Sequence, residues 1–164
     1  MSRPAGAALR ALLQAPRIAA LGTLDDEGAP FVSMVPFAVV PSLGCLVLHV
    51  SALAAHSRHL RQRPRVSLLV MQPEVPGEPV HALPRLTLQA EASVPAPESA
   101  AWQACRAAYL DRFPEAAFMT ELGDFAFVAV HPGHGRHIAG FGAARDVDRM
   151  ELDAALGQGA PAGS

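Results

Sequence analysis

Hydrophobic and polar residues alternate along much of the chain, and this alternation predicts strands. In "RLTLQAEA" (85–92), Leu86 and Leu88 lie between polar residues, which is the pattern of a strand with one buried and one exposed face. Other stretches are short, mostly apolar and bounded by turn residues, as more fully buried strands are. These further predicted strands cover residues 17–24, 29–40, 45–50, 65–71, 124–131 and 136–142.

Four other stretches have the composition or the period of helices. They are residues 6–15, 51–63, 97–113 and 114–122. Ser51 is the predicted N-cap of the second helix, and Pro64 ends it. The apolar stripe from Trp102 to Phe113 predicts a helix face that packs against the core rather than a cofactor box.

The order of the elements favours an antiparallel sheet. Two predicted hairpins follow each other, with turns at 25–28 and 41–44, so we expect a meander in this part of the chain. Strict β–α–β alternation is absent. We therefore predict a mainly β fold with helices (α+β), in which residues 1–150 form one small barrel and residues 151–164 a partly disordered tail.

Composition narrows the classes of function. The net charge of −2 provides no basic field for nucleic acid. All 13 basic residues are arginine, so chemistry that needs a lysine, such as an internal aldimine with pyridoxal phosphate, is excluded. Arginines interrupt the N-terminal apolar stretch, and no run reaches the roughly 18 apolar residues that span a bilayer. We expect a cytoplasmic protein with neither membrane nor nucleic acid as a partner.

The segment "HSRHLRQRPR" (56–65) concentrates positive charge and imidazoles. Either it is an exposed basic helix face, or it belongs to a site for an anion such as a phosphate. The anion site is plausible because a strand end followed by a helix N-terminus offers backbone N–H groups. The hydroxyls of Ser51 and Ser57 would add donors, and Arg58 would add charge.

Two further polar residues stand out against apolar surroundings. Ser33 is the polar residue of the apolar strand 31–40, so it either bonds locally or points to a ligand. Arg85 opens an alternating strand, where it either meets an anion or lies at a solvated strand end.

Three histidines are grouped in "HPGHGRH" (131–137). We interpret this segment as a hairpin loop rather than a zinc site, because no paired cysteines and no HExxH motif accompany it. No metal site and no catalytic residue is predicted. A single histidine that binds a haem iron remains open.

Several segments taken together resemble the pyridoxamine 5′-phosphate oxidase-like, FMN-binding split-barrel superfamily, and in particular its haem-utilisation branch. The segments are "GAPFVSMVPFAVV" (28–40), "LAAHS" (53–57), "RPRVSLL" (63–69), "RLTL" (85–88) and "AGFGAA" (139–144). The resemblance implies a six-stranded antiparallel split barrel that pairs as a homodimer, with the cofactor at the subunit interface.

The resemblance also implies roles for individual residues. Ser33 and His56 fall where the oxidases place a phosphate-binding arginine and lysine, and Ala38 falls where another such lysine is expected. Arg85 matches an arginine that haem-utilisation members present to the cofactor pocket. Those members place a haem-ligating histidine in a C-terminal segment, which we expect to be missing after "GFGAARDV" (140–147).

The resemblance thus predicts a flavoprotein, an FMN-binding oxidoreductase whose cofactor lies between two subunits. The predicted cofactor-binding residues are Ser33, Ser51, His56, Ser57, Arg58 and Arg85. One alternative is a haem-binding or haem-degrading protein of the haem-utilisation branch. Another is a non-catalytic dimeric barrel that has lost its cofactor. The substrate and the electron donor stay undetermined.

Overall fold

Residues 3–157, which the computed structural model describes, form four α-helices and eight strands. The helices are α1 (Arg3–Gln14), α2 (Ala55–Gln62), α3 (Ala100–Arg112) and α4 (Arg149–Ala155). The strands are β1 (Ile18–Leu24), β2 (Pro30–Pro36), β3 (Ala38–Val40), β4 (Cys45–Ser51), β5 (Arg65–Met71), β6 (Arg85–Ser93), β7 (Phe125–Ile138) and β8 (Ala144–Val147). Short 3₁₀ helices span Pro41–Leu43, Val80–Ala82 and Pro114–Glu121.

One sheet contains all of these strands, in the order β2-β1-β5-β6-β7-β4-β3, with β8 paired to β7. Every pairing is antiparallel. Only Phe37 separates β2 from β3, yet these strands lie at opposite ends of the sheet. The sheet must therefore curl until its two ends approach each other. This confirms the predicted α+β split barrel, although with eight strands instead of six.

Both predicted hairpins form and both are antiparallel, but they do not make one continuous meander. The stretch 29–40 is not one strand but two, and they pair with different partners, β2 with β1 and β3 with β4. The break falls at Phe37, whose side chain is fully buried and whose N–H donates to the carbonyl of Arg17. A continuous run of apolar residues does not reveal that its two halves pair with different strands.

The segment 131–137 is not a hairpin loop. It continues β7, which runs for 14 residues and pairs with β4 in its first half and with β6 along its second half. Gly133 in this segment belongs to an irregularity within the strand and not to a turn. The last hairpin instead connects β7 to β8 through residues 139–143.

Two helix starts also differ from the prediction. Ser51 ends β4 and the N-cap of α2 is Ala54, because residues 52–54 form a turn before the helix begins. The third helix begins after Ser99, whose hydroxyl accepts a hydrogen bond from the N–H of Trp102. The predicted fourth helix is a 3₁₀ helix.

The larger core lies inside the curled sheet. The inward-facing side chains of the strands, such as Leu21, Leu48, Leu68 and Leu88, are buried there. Helices α1 and α4 add leucines to the same cluster and contact each other, so they close the space that the sheet encloses. Burial of each such side chain contributes about 1.5–3 kcal/mol.

A second core lies outside the sheet, where α3 packs on β3, β4 and β7. Cys105 and Tyr109 of α3, and Phe113 at its C-cap, pack there on strand residues including Val47 and Phe127. This confirms the predicted core stripe. Both faces of β4 are consequently covered, whereas β1, β2, β5 and β6 have no helix over their outer faces. That bare outer face is where the candidate site lies.

The first residues of the predicted tail, 151–156, pack in the core of the barrel. Helix α4 begins with a capping box, in which Asp148 accepts from the N–H of Glu151 and the Glu151 carboxylate accepts from the N–H of Asp148. Leu152 and Leu156 are buried. The predicted disorder of the remaining tail, residues 158–164, lies outside the described residues.

Among the described residues, no helix combines the length and the hydrophobicity that crossing a bilayer requires. The cytoplasmic location stays a prediction.

The packing of α4 predicts that its buried face stabilises the barrel. Leu152→Ala should lower the free energy of unfolding by about 2–5 kcal/mol, because it removes a fully buried side chain and leaves a cavity. Met150→Ala, on the same helix but with 79% of the residue exposed, is the matched control and should change it by less than about 0.5 kcal/mol. Denaturant unfolding measures both. Equal effects of the two substitutions would mean that α4 does not belong to the core.

Candidate functional site

Ser33 and His56, two of the predicted cofactor-binding residues, contact each other. Ser33 Oγ lies 2.9 Å from His56 Nδ1, so a hydrogen bond links β2 to the first turn of α2. Burial lowers the pKa of His56, and the neighbouring His59 lowers it further. The imidazole is therefore neutral at neutral pH. This place, where the resemblance puts two cations, carries a neutral pair.

Ser51 and Ser57 also come together, but they use their hydroxyls locally. The Ser57 hydroxyl donates to the Ser51 carbonyl at 2.5 Å, and Ser51 Oγ accepts from the N–H of Leu53. The N–H groups of Ala52 and Ala54 donate to the carbonyls of Asp124 and Ser51, respectively. Most of the donors that were expected to receive a phosphate here already have a partner.

The two predicted arginines lie apart from these pairs. Arg58 is exposed on α2 and makes no ion pair with another residue of 3–157. Arg85 begins β6, three strands away from β2 in the sheet, and donates to the carbonyl of Leu83 at 2.9 Å. The structure therefore divides the six predicted residues among separate places, and their role in cofactor binding stays a prediction.

A feature that the sequence analysis missed lies in the middle of β7. Gln89 of β6 pairs with His134, but the next residue, Ala90, pairs with Pro132, so Gly133 is an extra residue of β7. Such a bulge changes the side to which the following side chains point. In a regular strand His131 and His134 would face opposite sides; with the bulge, both face the outer surface of the sheet.

Both imidazoles line a groove of about 860 Å³ on this outer surface. Two rows of paired residues cross it from strand to strand. The first row is Arg65, Glu91 and His131; the second is Gly22, Ser67, Gln89 and His134. Apolar residues, among them Leu24, Phe31, Val32 and Ala90, complete its walls together with Arg149. A pocket of this size suits a small-molecule ligand.

The groove combines neutral imidazole with positive charge. Burial lowers the pKa of His131, Arg149 lowers it further, and Glu91 opposes the shift. Arg65 is exposed and makes no ion pair with a residue of 3–157, and Arg149 binds Asp153 through its Nε at 2.9 Å. Arginines in such positions can bind carboxylates or phosphates.

A second groove, of about 550 Å³, lies beside the first on the same outer surface. It is mostly apolar and shares Val32 with the first groove. Ser33 also lines it, together with Ile18, Met34 and Met71.

The remaining histidine of the segment 131–137 lies elsewhere. His137 is 2% exposed and faces the interior beside β8, so the three histidines do not converge. Within residues 3–157, no three His, Cys, Asp or Glu side chains form a cluster that could hold a metal ion.

Comparison with known proteins decides the family. The sequence profile of the pyridoxamine 5′-phosphate oxidase family matches residues 5–139. The chain belongs to this family. Within it, the relatives described next place the chain in the haem-utilisation branch.

Heme oxygenase HutZ of Vibrio cholerae is 35% identical over 133 residues, which cover 80% of this chain and 74% of that protein. The chloroplastic heme oxygenase HOZ of Arabidopsis thaliana is 35% identical over 114 residues, 70% of this chain but 33% of that protein. The structure of a heme binding protein from Mycobacterium smegmatis superimposes with a TM-score of 0.82 at 30% identity, covering 94% of this chain and 62% of that one. The chain thus spans about a third of the plant protein and less than two thirds of the mycobacterial one.

The lowered pKa of His56 predicts a dependence of stability on pH. The unfolded chain takes up a proton near pH 6.5 while the folded imidazole stays neutral, so the free energy of unfolding should fall as the pH drops below about 6.5. His56→Asn keeps a polar partner for Ser33 but does not titrate, and should make this fall shallower. Denaturant unfolding measures the free energy of unfolding from about pH 5 to pH 8, the range in which histidine titrates.

His81→Asn, at an exposed loop position, is the control for that experiment. A His56→Asn profile as steep as that of the unsubstituted protein would contradict the burial of a neutral His56.

Proposed function

We propose that this protein binds haem in the outer groove and takes part in haem utilisation, by binding and degrading haem. The observation that carries the proposal is the groove itself, in which the bulge at Gly133 brings two imidazoles to one wall between apolar surfaces and arginines. It is the place among the described residues where the chemistry suited to iron, porphyrin and carboxylates occurs together.

The lining of the groove fits the parts of a haem. Imidazole is a common axial ligand of haem iron, and His131 and His134 offer it. The walls formed by Phe31, Val32 and their apolar neighbours suit the faces of a porphyrin. Arg65 and Arg149 suit its two carboxylates.

FMN fits less well. A flavin phosphate needs cations or free donors, and at the place predicted for it Ser33 is bonded to the neutral His56. The Ser57 hydroxyl already donates to the backbone, whereas Ser51 Oγ only accepts a hydrogen bond. The features that remain for a phosphate are Arg58, the O–H of Ser51 and the N-terminus of α2. We therefore prefer haem to FMN as the cofactor.

The relatives support the same preference. Two curated proteins that are 35% identical are named heme oxygenases, and a 30% identical structure is named a heme binding protein. When bound, haem supplies an iron centre for redox chemistry with dioxygen, and the protein supplies position and electrostatics. In this chain, the arginines would orient the carboxylates and the apolar walls would exclude water.

We also propose that the protein is a homodimer that pairs through its bare outer face. Ile18, Val32 and Met34 are each more than half exposed on β1 and β2, and Met71 on β5 extends this surface. An apolar patch of this kind marks an interaction surface. A second copy placed there would cover the apolar groove and border the polar one.

The proposal predicts a preference between cofactors. Haemin added to the purified protein should produce a Soret band and, at a hundredfold excess over its dissociation constant, stabilise the fold by about 2.7 kcal/mol. FMN at the same concentration should produce a much smaller thermal shift. Haem-loaded protein supplied with oxygen and ascorbate should lose its Soret band. The proposal would be overturned if the purified protein contained bound flavin, or if haemin produced neither a Soret band nor a thermal shift.

The dimer proposal has its own test. Met34→Glu places a carboxylate in the centre of the apolar patch, and should shift the protein from dimer to monomer because a buried unpaired charge is unfavourable. Phe118→Glu, on the 3₁₀ helix after α3 and outside the lining of both grooves, is 67% exposed against 62% for Met34. It is the matched control and should leave the dimer intact. Light scattering after size-exclusion chromatography measures the mass. A monomeric unsubstituted protein would refute the dimer.

A further inference from the structure

We propose that His131 is the residue that would bind the haem iron. This inference rests on the proposed function, since it assigns a role within the haem groove. It names one imidazole among the seven of the chain, all of which lie within residues 3–157.

The bulge in β7 determines which imidazoles face the groove. Gly133 is the extra residue of β7, and it leaves His131 and His134 on the same wall, paired with Glu91 and Gln89 of β6. Apart from its two chain neighbours, nothing lies within 4 Å of the position that a Cβ at Gly133 would take, so the bulge faces open space. Bulges are common beside functional sites because they re-aim side chains in this way.

Burial and bonding then separate the two imidazoles. His134 is 49% exposed in its side chain, and its Nε2 lies 3.9 Å from the Asp146 carboxylate, which Arg136 also binds at 3.0 Å. It therefore lies at the edge of the groove, within a charged surface cluster. His131 is more buried, and its neighbours are groove residues on three strands.

The other histidines are hydrogen-bonded to other side chains, packed among aromatic rings, or lie away from the groove. His56 bonds Ser33, and His59 bonds the buried Thr23 at 2.9 Å. His49 is packed among the rings of Tyr109, Phe125 and Phe127 in the second core. His81 lies in the exposed loop before β6, and His137 faces the interior.

The surroundings of His131 resemble the support that ligating histidines usually have. Ser93 Oγ lies 3.4 Å from its Nε2, and the Glu91 carboxylate is its cross-strand neighbour. Hydroxyls and carboxylates of this kind orient a ligating ring. Arg65 follows Glu91 in the same row and Arg149 also lines the groove, so two arginines there are available to the carboxylates of haem.

The test compares two single substitutions in the full-length chain. Haemin is titrated into the unsubstituted protein, His131→Ala and His134→Ala, and the ferric complexes are examined by absorption and electron paramagnetic resonance. We expect His131→Ala to bind haemin at least about tenfold more weakly, since removing even a partner of a metal ligand weakens binding by about 10- to 100-fold. It should also lose the signal of an imidazole-bound iron.

Free imidazole added to haemin-loaded His131→Ala should restore that signal. His131→Gln, which keeps a polar side chain in the groove, should lose it as well and guards against an alanine variant that folds poorly. His134→Ala, which removes the competing imidazole of the groove, should keep the signal of an imidazole-bound iron. His81→Ala, at an exposed position outside the groove, is the control and should keep the unsubstituted spectrum.

The outcomes separate this inference from the function on which it rests. If the unsubstituted protein takes up no haemin, the proposed function falls and the ligand assignment falls with it. If it takes up haemin but the His131 variants keep its spectrum, or His134→Ala alone loses it, the protein is a haem binder and only the assignment to His131 is refuted.

Discussion

The structure depends on the short connection between β2 and β3, where one buried residue, Phe37, joins two strands at opposite ends of the sheet. A flat sheet of this width cannot be bridged by a single residue, so the sheet has to curl. Curling encloses the leucine-rich interior, which α1 and α4 then close. Since α3 covers only the β3, β4 and β7 side, the outer face of the other strands stays bare, and both grooves lie on it.

The distribution of charge on that bare face explains why haem is favoured over a flavin phosphate. The side chains of Ser33 and His56 share a hydrogen bond and carry no charge at neutral pH. Arg65 and Arg149, by contrast, line a groove that also contains apolar residues and the neutral imidazole of His131. Neutral imidazole is the form that binds a metal, whereas a phosphate prefers a cation.

Much of the fold could be predicted because the buried and exposed faces of a strand require apolar and polar residues to alternate along the sequence. The alternation in 85–92 matches β6, with Leu86 and Leu88 buried and the polar residues facing out. The site was less predictable, because the rows that line the groove join residues such as Ser67, Gln89 and His134, which only strand register brings together. Two glycines between histidines are typical of a turn and of a bulge alike, and the pairing of β7 with β6 decides between them.

The most direct test of haem binding in the outer groove is amide hydrogen exchange of the full-length protein with and without haemin, whatever its oligomeric state. Binding in the outer groove predicts increased protection in residues 65–67, 89–93 and 131–134, which approach one another only on that face. Protection confined to residues 51–58, with the groove strands unchanged, would place the ligand at the turn before α2 and contradict the account.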